Sequence, residues 1–135
     1  MERKLIISGR MTVLDEETFS PNEKRSRNFD WSSILSDKDD RIQEDFEKIV
    51  RAGGEVRGEL FLTAQLLSEG RIRVSGDLNL FEGTSESTSD LDGSRNYAFI
   101  VRKDQTVTKD LIVYNEDEGS GDYTKVVMTI KNVMP

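Results

Sequence analysis

Two segments of this chain share one strand pattern, and that pattern restricts the fold more than any other feature. Residues 5–15 read Leu-Ile-Ile-Ser-Gly-Arg-Met-Thr-Val-Leu-Asp, and residues 72–82 read Ile-Arg-Val-Ser-Gly-Asp-Leu-Asn-Leu-Phe-Glu. Aligned on Ser8-Gly9 and Ser75-Gly76, their apolar positions recur in step. In the first copy Leu5, Ile7, Gly9, Met11 and Val13 fall on one face, with Lys4, Ser8, Arg10 and Thr12 on the other. A period of two sustained over about ten residues belongs to a half-buried strand with one wet face. The doublet is compatible with two similar halves of a sheet protein, and also with two strands that converged on one pattern.

The rest of the chain extends the sheet reading. Strands are expected at 56–67, 71–81, 97–102, 106–114 and 123–133, with a tight turn at Ser68-Glu69-Gly70 making a hairpin of the first two. Residues 16–30 lose periodicity and read as a loop, pinned to the sheet by Phe19, Phe29 and Trp31. A helix is expected next. Ser36-Asp37-Lys38-Asp39 resembles a capping box, and a shorter turn at residues 30–35 precedes it. Ile42, Phe46, Ile49 and Val50 fall at i, i+4, i+7 and i+8, and Gly53-Gly54 supplies a stop. The expected fold is therefore mainly β: an antiparallel sandwich or barrel of about six strands in a single domain, residues 1–135. One α-helical insertion, at about residues 30–53, lies between strands 1 and 2.

Absences narrow the chemistry. The chain has no cysteine and no histidine. It therefore lacks thiolates, imidazole bases and the soft ligands of zinc and iron–sulfur sites. Carboxylates, hydroxyls and carbonyls remain, and these suit hard cations such as calcium. A net charge of −7 opposes nucleic-acid binding, which requires Lys and Arg to neutralise phosphates. The local exception, Lys24-Arg25-Ser-Arg27, reads as a solubilising loop segment. No segment approaches a membrane span. The apolar run at the N-terminus stops at Ser8, so no signal peptide is expected. The default compartment is the cytoplasm, with an extracellular location left open.

Two stretches concentrate carboxylates among glycines and hydroxyls. Residues 82–94 carry Glu82, Glu86, Asp90 and Asp92, and residues 115–122 carry Glu116, Asp117, Glu118 and Asp122. Crowded carboxylates repel one another, and a divalent cation relieves that repulsion. Glu82, Glu86, Asp90, Asp92, Asp117 and Asp122 are thus the candidate metal ligands, with calcium as the candidate ion, shared if the two loops meet at one end. The competing reading is two solvated turns kept acidic for solubility. Asp90-Leu-Asp92-Gly93 resembles part of an EF-hand loop, but Phe99 stands where that motif needs a bidentate Glu.

These readings point to a non-catalytic binding or interaction module whose acidic loops form its working edge, with a protein partner or self-association expected. The alternative is a structural subunit of a larger or homo-oligomeric assembly, joined through edge strands or the helix. A carboxylate-based hydrolase ranks below both, because no apolar cleft is legible to raise one carboxyl above its partner. The catalytic and cofactor-binding sets are expected to be empty.

Overall fold

A computed structural model describes residues 1–17, 19–85, 87–115 and 121–135. It contains eight strands: β1 (Glu2–Asp15), β2 (Glu23–Ser36), β3 (Gln43–Ala52), β4 (Val56–Leu66), β5 (Ile72–Glu82), β6 (Leu91–Val101), β7 (Thr106–Tyr114) and β8 (Tyr123–Val133). They form two four-stranded antiparallel sheets, ordered β2-β1-β8-β7 and β3-β4-β5-β6. Neither sheet closes into a barrel. No helix among the described residues is long and apolar enough to cross a membrane.

The inner faces meet over one apolar core. Leu5, Ile7, Met11 and Val13 of β1 and Val126, Met128 and Ile130 of β8 face Leu60, Leu62, Leu78 and Leu80 of the other sheet, all buried. Each such side chain contributes about 1.5–3 kcal/mol by leaving water. Aromatics seal both flanks: Trp31 stacks on Phe46 at 5.4 Å between β2 and β3, and the Lys109 ammonium of β7 lies 4.8 Å from the Phe99 ring of β6.

The expected helix is absent, and the six-strand count becomes eight. Residues 43–52 are strand β3, and residues 30–35 belong to strand β2. The segment satisfies both periods. Phe46, Val50 and Ala52 alternate onto the inner face, whereas Ile42 is exposed and Ile49 only half-buried. Pairing with β4 decides the outcome, because Ala52 meets Val56 across a turn built on Gly53 and Gly54, with φ of +63° and +75°. The glycines read as a helix stop are this hairpin turn. The presumed capping box serves one 3-10 turn at Asp40–Ile42, where the Asp39 carboxylate accepts from the Arg41 N–H at 2.9 Å. The stretch read as a loop to residue 30 already belongs to an edge strand from Glu23 onward. Phe29 and Trp31 do pack on the core, but Phe19 is fully exposed. Strand β6 starts at Leu91, inside the stretch read as an acidic loop.

The doublet has a structural meaning. Gly9 of β1 lies opposite Phe29 of β2, and Gly76 of β5 lies opposite Tyr97 of β6. A Cβ on Gly9 would sit 2.5 Å from the Phe29 Cζ, and one on Gly76 would run into the Phe61 carbonyl oxygen and sit 2.9 Å from the Tyr97 hydroxyl. Each sheet thus lays an edge-strand ring over an inner-strand glycine, a cross-strand pairing that shields backbone and fixes register. The Tyr97 hydroxyl donates to the Phe61 carbonyl at 2.6 Å and completes that cover.

Candidate metal centre

The two ends of the sandwich treat their polar groups differently. At one end Arg3 is buried, and its Nε donates to the Asn132 Oδ1 at 2.9 Å. The Asn132 amide in turn donates to the Gly70 carbonyl at 2.7 Å and the Val101 carbonyl at 3.1 Å. A buried polar group is tolerated when its hydrogen bonds are made, and here they are.

The other end gathers the C-termini of β1, β5 and β7, the β3–β4 turn, and the start of β8. Strand alternation puts the last residue of β1, Asp15, on the inner face, where it is 1% exposed. Asp122, one residue before β8, is 0% exposed. One carboxylate oxygen each from Asp15, Glu82 and Asp122 lies within 4.8 Å of the others, and Asp15, Glu17 and Glu55 form a second such group. Asp15 is common to both.

Hydrogen bonds account for only part of this cluster. The Glu16 N–H donates to the Asp122 Oδ1 at 2.6 Å, and the Asn115 side-chain amide donates to Glu82. The Asn115 N–H also donates to the Asp122 carbonyl at 3.1 Å, which ties the ends of β7 and β8 together. Among the described residues, the Asp15 Oδ2, the Asp122 Oδ2 and the Thr124 hydroxyl are buried without a partner. No lysine or arginine forms an ion pair with Asp15 or Asp122 in that set.

Such an arrangement resists full ionisation. Two charges 4.8 Å apart repel by about 3–4 kcal/mol at an effective dielectric of ~20. Burial, and then the charges of Glu17, Asp122 and Glu55 together with a hydrogen bond to Glu17, push the Asp15 carboxyl up to about 7. A proton or a cation relieves that repulsion.

Its dimensions suit a cation. Oxygens on opposite sides of a calcium ion, each at about 2.3–2.6 Å, are about 4.6–5.2 Å apart. The β3–β4 turn also leaves room: a Cβ on Gly53 would run into the Asp15 carboxylate. Aspartate and glutamate oxygens, with nearby turn carbonyls, are the donor class that calcium selects.

Of the residues singled out from sequence, Glu82 and Asp122 are brought together, one from each acidic loop. Asp90 is exposed in the loop, where its carbonyl accepts from the Glu82 N–H at 3.1 Å. Asp92 is buried in β6 and belongs to neither group of potential ligands. Glu86 and Asp117 lie outside the described residues, as do Glu116 and Glu118. Asp15, Glu17 and Glu55 were missed. A signal for Asp15 was present, since the alignment of the doublet places it opposite Glu82. No protein-family model matches this chain, and no curated protein matches it in sequence.

Proposed function

We propose that the chain is a non-catalytic binding module whose loop-bearing end holds one calcium-class cation between Asp15, Glu82 and Asp122, with Glu17 and Glu55 alongside. The observation that carries this reading is the pair of buried, unpartnered oxygens on Asp15 and Asp122 within an all-acidic cluster. The ion would neutralise the repulsion and tie the ends of β1, β5 and β8 together. The chain between β5 and β6 and between β7 and β8, rooted on Glu82 and Asp122, would then form the working edge that meets a protein partner.

Burial also weighs against a hydrolase. A substrate must reach a catalytic carboxyl, and Asp15 and Asp122 are 1% and 0% exposed. The grooves of the two outer sheet faces are lined by other residues.

A thermal melt tests the reading, run in EDTA, in calcium and in magnesium at matched ionic strength. Calcium at about a hundredfold over Kd adds about 2.7 kcal/mol, roughly 10 °C for a chain of this size. Magnesium demands a tighter octahedral shell and is expected to shift the melt less. Superimposable curves in all three solutions would return the cluster to a proton-sharing core.

A further inference from the structure

The outer face of the β2-β1-β8 sheet carries a feature that the cation reading does not use. A groove of about 560 Å³ crosses all three strands, and Arg10, Lys24 and Lys125 line it. Among the described residues no aspartate or glutamate lines it, in a chain with 26 acidic and 19 basic residues. Asp30 and Asp110 stand on the same face at its flanks, and neither pairs with the three cations among the described residues. Register brings two of the cations, Arg10 and Lys125, close. Lys125 lies opposite Thr12 and so diagonal to Arg10, whereas Lys24, opposite Leu14, is diagonal to Thr12 and four residues along β2 from Asn28, the partner of Arg10. Like charges so placed repel until an anion sits among them.

Hydroxyls line the floor between the cations, with Thr12 sharing a 2.8 Å hydrogen bond with Ser26. Ser8, Thr12 and Thr129 line it, and the Arg10 guanidinium donates to the Asn28 side-chain oxygen at 3.2 Å, which orients both groups. Among the described residues Tyr123 is the one aromatic lining it, too few for the successive stacking that nucleobases use. The chain's net charge of −7 repels a long polyanion. Three strands span about 10 Å, about two sugar rings.

We infer that this groove binds a short anionic saccharide, its carboxylate or sulfate held by Arg10, Lys24 and Lys125 and its hydroxyls by the Ser, Thr and Asn side chains. The test is a titration followed by backbone amide shifts, run in EDTA so that the cation site plays no part. A trigalacturonate and a sulfated trisaccharide are the two probes, and they separate carboxylate from sulfate as the anion. Neutral maltotriose and inorganic sulfate are the controls. Shifts at Ser8, Arg10, Lys125 and Thr129 are expected with one or both anionic probes and not with maltotriose. The double variant Arg10→Ala/Lys125→Ala, with an unchanged melting temperature, should weaken binding at least tenfold. Silence with both probes, an unaffected double variant, or inorganic sulfate binding as tightly as the saccharides would overturn the inference. So would a fall in solution mass for the double variant without saccharide binding. That result would assign the groove to a second copy, whose opposite face presents Asp45, Glu47 and Asp77 around Phe61.

Discussion

Asp15 and Asp122 bring carboxylate oxygens within 4.8 Å of each other in the interior, and no lysine or arginine among the described residues pairs with either. At the opposite end Arg3 and Asn132 are equally buried and fully engaged. One sandwich therefore closes one end with a satisfied polar plug and leaves repulsion in the other. Unrelieved repulsion inside a fold is a common signature of a ligand-binding position.

Removing charge from the cluster should stabilise the cation-free protein while abolishing its response to calcium. Asp15→Asn and Asp122→Asn are each expected to raise the melting temperature in EDTA by about 3–6 °C, the equivalent of about 1–2 kcal/mol of relieved repulsion. Both should then melt identically with and without calcium. A lowered melting temperature with the calcium response retained would show that the two acids are structural.

The Asp15 carboxyl dictates a direction with pH. Its folded value is raised to about 7 from an ordinary 3.8. Between those values the folded chain keeps a proton that the unfolded chain has lost, so stability in EDTA falls as pH rises through this window and levels off above about 7. Calcium competes with that proton, so its stabilising effect should grow from about pH 5 to about pH 8. Urea midpoints at four pH values, with and without calcium, measure both trends. Asp15→Asn should flatten them.

Two neighbouring glycines separate backbone strain from loss of the site. Gly53 and Gly54 both have positive φ, so alanine at either costs about 1 kcal/mol in strain. Only at Gly53 does the added Cβ meet Asp15; at Gly54 it meets nothing within 4 Å. Gly53→Ala is therefore expected to lose calcium binding and Gly54→Ala to keep it, as read by the calcium-induced shift in melting temperature.

The far end supplies a control for stability. Asn132→Ala removes hydrogen bonds to Arg3, Gly70 and Val101 and leaves the buried Arg3 Nε without its acceptor, while Nη2 keeps Asp104 and the backbone carbonyl of residue 132. A loss of about 2–3 kcal/mol is expected in chemical denaturation, with calcium affinity unchanged.

How much of this was legible in sequence depends on the residue. Period-two alternation located β1 and the strands from β4 onward, because one buried face imposes it whatever the partner strand. β3 was misread because Phe46, Ile49 and Val50 fit a helical stripe as well as a strand, and pairing with β4, not local pattern, settled the matter. β2 was hidden because an edge strand buries little and tolerates the run Lys24-Arg25-Ser-Arg27. Glu82 and Asp122, one from each acidic stretch, do fall in a single cluster. Asp15 was overlooked because a lone aspartate ending a strand reads as punctuation until topology sets it beside Asp122.

Isothermal titration of calcium into the EDTA-stripped, dialysed chain tests the cation site most directly, with Asp122→Asn titrated in parallel. One ion per chain with proton release below about pH 7, and no heat with the variant, is the result expected of a cation held by Asp15, Glu82 and Asp122. No saturable binding to the parent chain, or equal binding to both proteins, would contradict it.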